Sequence, residues 1–130
     1  MSATTGITVS KIGTRGRIAA ILLWLCALAA AVAAASALPV VLTATGATQF
    51  VEAWRLVGFA TFAAMFAVIA YAPRRVPPGI WVAVIANKLV LTVVGIAWAT
   101  TVDGAASAVV WDGSLTVLLV VAFGLTRARR

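Results

Sequence analysis

The sequence predicts an all-α protein, an integral membrane bundle of four helices with both termini on the cytoplasmic side. Three observations predict it. Hydrophobic residues make up 64% of the 130 residues, and charged residues only 10%. A soluble domain carries roughly 25% charged residues, so this chain has too few to cover a surface facing water. Finally, four apolar runs of spanning length alternate with short polar segments.

The first 17 residues are polar and carry Lys11, Arg15 and Arg17, which reads as a basic cytoplasmic tail ahead of a bundle over residues 18–130. The first span runs from there to about Leu42. Pro39 is expected to end or kink it, because proline removes a backbone donor. Ala35-Ser36-Ala37 imitate a signal-peptidase site. The run nevertheless has spanning length, about 20 residues or more, and a retained helix is expected.

Thr43 to Gln49 read as a polar loop, followed by a second span from Phe50 to Tyr71. The segment Ala72-Pro73-Arg74-Arg75-Val76-Pro77-Pro78 must break the chain, since proline ends one helix and can open the next. A third span covers Gly79 to Ala99. After a tight loop with Asp103, a fourth covers Ala105 to Leu125.

Lys11, Arg15, Arg17, Arg74, Arg75, Arg127, Arg129 and Arg130 all fall at one end of this scheme, and the loops at the other end hold no Lys or Arg. The positive-inside rule places the basic end in the cytoplasm. The net charge of +7 is therefore read as topology and lipid contact rather than nucleic-acid binding, because no basic stripe faces water. Trp54, Trp98 and Phe50 are expected at the outer interface, Tyr71 and Trp81 at the inner one. Small residues at helical spacing, Gly79 with Ala83, Ala60 with Ala64 and Ala29 with Ala33, suggest close helix contacts, unless they reflect no more than an Ala-rich composition.

Several chemistries are excluded or disfavoured. The chain has no histidine, which removes a His-based triad and the commonest metal ligand. Its lone Cys26 has no redox partner, and its three acids are too scattered for a carboxylate metal site. No Gly-rich nucleotide cradle occurs, and neither metal nor cofactor is expected.

Four charges fall inside the spans: Glu52, Arg55, Lys88 and Asp112. A charge at the bilayer centre costs about 3 kcal/mol on insertion scales, so such residues pair, face the bundle interior, or line a wet cavity. Glu52 and Arg55 share a helix face and can pair. Lys88, next to Asn87, is the deepest. Reaching Asp112 requires it to bridge an axial offset of roughly 6 Å. Phe59, Phe62 and Phe66 continue the Arg55 stripe, while Thr116 lies one turn from Asp112 and Thr92 one turn from Lys88. The pattern suggests a polar pocket open to the outside and floored by Phe rings, with Glu52, Arg55, Asn87, Lys88, Asp112 and Thr116 as its candidate residues. Charge pairs that merely register helices are the competing explanation.

Trp54-Arg55-Leu56-Val57-Gly58 in the second span and Trp111-Asp112-Gly113 in the fourth resemble the DoxX-like small four-helix bacterial membrane proteins. That resemblance implies a bacterial inner-membrane subunit beside a quinone-linked or thiol-redox partner. The absence of paired cysteines argues against direct thiol chemistry. The size also resembles small multidrug transporters, but the first span lacks their embedded glutamate. The function expected is thus a non-enzymatic subunit or binding protein for a lipid-soluble, quinone-like or lipid ligand or a membrane redox partner. The alternatives are a small proton-coupled transporter using Asp112, a purely structural assembly subunit, and a membrane enzyme with Asp112 or Glu52 as acid–base. Oligomeric state is left open.

Overall fold

The computed structural model describes residues 13–128 and contains four helices: α1 (Thr14–Thr43), α2 (Gly46–Tyr71), α3 (Pro78–Trp98) and α4 (Ala105–Arg127). All four are long and apolar enough to cross a membrane. The shortest, α3, has 21 residues, which at ~1.5 Å per residue matches a hydrocarbon core of about 30 Å. Much of each helix's apolar surface faces outward, as in Leu28, Leu42, Val68 and Val110. That arrangement suits a lipid solvent, in which helices satisfy every backbone group internally.

The helix boundaries differ from the sequence expectation at α1 and α2. Of the expected tail, residues 1–12 lie outside the described residues, but Thr14 to Arg17 already belong to α1. Pro39 does not end α1, which continues one turn further to Thr43. The Thr43 hydroxyl donates to the Pro39 carbonyl at 2.9 Å, adding a bond in that last turn. The expected loop over Thr43–Gln49 shrinks to Ala44 and Thr45. Gly46 makes so short a link possible by taking φ +58, and Gln49 Nε2 donates to the Val41 carbonyl at 3.2 Å, satisfying an end carbonyl of α1. Gly104, at φ +83, does the same work between α3 and α4.

Helix α1 packs against α2 and α4, and α4 also packs against α3. Among the described residues α2 and α3 make no close backbone approach. The bundle therefore has one loose seam, between α2 and α3. The core lies toward the basic end and is built from Leu23, Cys26, Phe66, Ile69, Trp81, Val84 and Leu119, all almost fully buried. Arg127 pins that end: it donates to the Val76 carbonyl at 2.8 Å and rests over Phe123.

Trp81, expected at the inner interface, does not face outward from the bundle. It is fully buried and tilted against Phe123 at 5.5 Å between ring centroids, and its indole N–H has no hydrogen-bond partner. Tyr71, Phe50, Trp54 and Trp98 are exposed, as belt residues must be. The small-residue repeats are also redistributed. Ala60, Ala64 and Ala83 are exposed, and nothing lies within 4 Å of a Cβ added at Gly79. A close approach at a glycine occurs instead at Gly95, where an added Cβ would stand 2.8 Å from a Val109 methyl and 3.3 Å from the Ala105 carbonyl.

Candidate functional site

A cavity of about 350 Å³ lies among the helices toward the end of the bundle that carries no Lys or Arg in its loops, with Gly104 of that end in its lining. All four helices line it. Ala29, Ala30, Val32, Ala33 and Ser36 come from α1; Arg55, Phe59 and Phe62 from α2; Lys88 from α3; Ser107, Ala108, Trp111, Asp112 and Leu115 from α4. The alanines of α1 create the space: with only a methyl group each, they leave a groove that the larger side chains of α2 and α4 overhang.

Lys88 and Asp112 meet at its inner end. Lys88 Nζ donates to Asp112 Oδ1 at 2.8 Å, so the axial offset between them is bridged. Lys88 is 3% exposed. Its ammonium also stands 4.3 Å from the centroid of the Phe62 ring, an attraction that strengthens when water is excluded. One lysine thus ties α3 both to α4 and to α2. It donates to only one carboxylate oxygen; Asp112 Oδ2 accepts no hydrogen bond from the described residues.

Arg55 and Glu52 form the second pair, with Arg55 Nη2 and Glu52 Oε2 3.0 Å apart. The contact is close enough for an ion pair, yet Glu52 Oε2 is buried and receives no aligned hydrogen bond. The two partners differ in setting: the Arg55 side chain is 51% exposed and the Glu52 side chain 15%. Arg55 faces the cavity, whereas Glu52 does not line it. Arg55 also lies over Phe59 at 5.9 Å. The cavity lining therefore holds two cations and one carboxylate, with Glu52 neutralising Arg55 from behind.

Of the six candidate residues, Arg55, Lys88 and Asp112 are brought together around the cavity, and Glu52 stands behind them. Thr116 does not join: its hydroxyl donates to the Asp112 carbonyl at 2.7 Å within α4. Thr92 likewise donates to the Lys88 carbonyl. Such bonds to the i−4 carbonyl are the usual resting place of a threonine inside an apolar helix. Asn87 is exposed on the outer surface of α3 and is absent from the cavity wall. Of the Phe stripe, Phe59 and Phe62 line the cavity, while Phe66 is fully buried beneath Phe62 in the core, with the two rings 5.8 Å apart.

Ser36, Ser107 and Trp111 were not among the candidate site residues read from the sequence, although Ser36 and Trp111 stood in other motifs. Ser36 and Ser107 look like small residues in Ala-rich runs, and only the packing of α1 against α4 puts them on one wall. The Ser36 hydroxyl donates to the Ala33 carbonyl at 2.8 Å, which leaves its lone pairs as an acceptor for a ligand. Among the described residues no three Cys, Asp or Glu side chains gather at one point. No family model, curated protein or solved structure matches the chain.

Proposed function

We propose that the chain is a non-enzymatic multi-pass protein of the bacterial cytoplasmic membrane, with its termini in the cytoplasm. In this reading it binds a lipid-soluble ligand that carries a carboxylate, phosphate or carbonyl head. The observation that carries the proposal is the composition of the cavity wall. Arg55, Lys88 and Asp112 form its polar part, and alanines, Phe59, Phe62, Trp111 and Leu115 form the rest. A few convergent polar groups in an apolar cleft are the general form of a small-molecule site.

Arg55 selects the head. A guanidinium presents five N–H donors in a planar fork suited to carboxylate and phosphate, and the single Glu52 contact leaves most of them open. Lys88 is anchored by Asp112 and adds positive potential without moving. The volume of about 350 Å³ is near the lower limit of ligand pockets, roughly 300–1,000 Å³. The head and the adjoining carbons fit inside, and a longer tail extends through the α2–α3 seam into lipid. A quinone-like ring bearing carbonyl oxygens satisfies the same donors, which keeps the DoxX-like redox-subunit reading within this proposal.

The test uses the full chain in lipid nanodiscs and a long-chain fatty acid carrying a photoactivatable diazirine. Labelling is expected on α2 and α4 near Phe59 and Trp111, competed by unlabelled fatty acid. Arg55→Gln should weaken it about tenfold, the loss of one charge-assisted hydrogen bond. Labelling spread evenly over the lipid-facing surface and unaffected by Arg55→Gln would overturn the proposal.

A second reading, a small proton-coupled transporter, is favoured by one observation: Asp112, the one carboxylate of the cavity lining, stands there beside Lys88. It requires Asp112 to release Lys88 when it takes up a proton.

A further inference from the structure

Asn87 poses a problem that the cavity does not solve. It lies near the middle of α3, nine residues after Pro78 and eleven before Trp98. Its side chain is exposed, and among the described residues it makes no hydrogen bond. A successive residue on a helix turns by ~100°, so Asn87 points along the flank of α3 while Lys88 points into the bundle. If α3 spans the bilayer, as the proposed function holds, the amide sits at hydrocarbon depth. An amide left unpaired there costs several kcal/mol, and a side chain this short cannot reach the head groups.

We infer that Asn87 pairs with Asn87 of a second copy of this chain, making the α3 flank a symmetric dimer interface. The amide carries both a donor and an acceptor. Two such groups facing each other across a twofold axis satisfy one another with two N–H···O bonds, and a twofold interface brings identical residues together. Lipid tails offer no hydrogen-bonding group at this depth. The flank holds no charge that would select a differently charged partner. Its other members are Ile80, Ala83, Leu91 and Val94, all exposed. Ala83, one turn from Asn87, is small enough to let two α3 helices come close, the condition for polar pairing between membrane helices. Lys88, the α3 residue that lines the cavity, is turned by ~100° from Asn87, so the Asn87 flank itself contributes nothing to the cavity wall.

The experiment is disulfide cross-linking of the full chain in dilute proteoliposomes, in a Cys26→Ala background. Ala83→Cys and Leu91→Cys should each give cross-linked dimers on oxidation. Leu89→Cys, equally exposed but on the other flank, should not. Asn87→Leu should reduce the dimer yield from the Ala83→Cys and Leu91→Cys proteins about tenfold, the effect of two interhelical hydrogen bonds. Cross-linking from Leu89→Cys to the same extent, or a yield unchanged by Asn87→Leu, would overturn the interface. Because this inference rests on the membrane reading, fractionation is measured on the same samples. Chain that remains outside the vesicles sinks both ideas, whereas a monomer that is embedded and takes up the fatty-acid label sinks the interface alone.

Discussion

Lys88 and Asp112, 24 residues apart in sequence, are joined by a 2.8 Å hydrogen-bonded ion pair at the inner end of the cavity. It is the one ionic link between α3 and α4 among the described residues. A buried pair of this kind contributes little relative to an apolar pair of the same volume, but losing one partner is expensive because the other charge is stranded.

That asymmetry gives the first prediction. Lys88→Ala or Asp112→Ala alone should each lower stability by ~3 kcal/mol or more. Replacing both, as in Lys88→Met with Asp112→Leu, should recover most of the loss. Thermal unfolding of the four proteins in one detergent supplies the cycle. Losses that add strictly would show that the two side chains do not meet.

The glycines give a second prediction, with its own control. Gly95→Ala drives a methyl to within 2.8 Å of Val109 and 3.3 Å of a backbone carbonyl. It should therefore cost about 1–3 kcal/mol, the usual penalty of overpacking. Gly58→Ala, with nothing within 4 Å, should be neutral or stabilising by up to ~1 kcal/mol through helix propensity. Equal effects at the two sites would mean that α3 and α4 are not in close contact at Gly95.

These positions also mark where the sequence stops being informative. The existence and approximate ends of four helices follow from apolar runs and their breakers, and the structure contains them. Rotation about each helix axis is another matter. A helix that is apolar all round gives no amphipathic stripe to orient it. Trp81 could therefore be assigned to an interface although it is buried, and Asn87 to the pocket although it faces outward. Gly79 and Ala83 looked like a packing motif, whereas Gly95, the tighter contact, was not singled out although Ala99 stands at the same spacing. Charges were easier to place. Arg55, Lys88 and Asp112 are costly anywhere but inward, and they do line one cavity. Ser36 and Ser107 carry no such penalty and stayed outside the candidate set.

Topology is a third prediction. The described basic residues Arg15, Arg17, Arg74, Arg75 and Arg127 belong to segments at one end of the bundle. Reporters inserted between Arg74 and Arg75 or fused after Arg130 should be active only in the cytoplasm, and one inserted after Thr45 only outside. A cytoplasmic signal from the Thr45 insertion would invert the scheme and move the cavity mouth to the other side of the membrane.

The last prediction separates a fixed binding site from a proton-coupled carrier, and it turns on Asp112→Asn. The variant keeps the shape of the side chain and removes its charge. In the binding-site reading, Asp112 holds Lys88 in place through the 2.8 Å contact and keeps the ammonium over Phe62. Without the carboxylate the buried ammonium is unneutralised, so the variant should lose stability by ~3 kcal/mol and lose fatty-acid labelling with it. Lys88→Met added to Asp112→Asn removes the stranded charge and should restore stability. In the carrier reading the cycle passes through a state in which Asp112 is protonated and Lys88 is released. The Asn variant resembles that state, and it should fold and bind but no longer couple to a proton gradient. Vesicles loaded with a pH-sensitive dye, placed under an imposed gradient with and without fatty acid, distinguish the two. Fatty-acid-dependent proton flux in the native protein that disappears in a stable, binding-competent Asp112→Asn variant would replace the binding site with a carrier. No flux in either protein, with stability and labelling lost together in the variant, is the outcome expected from the geometry.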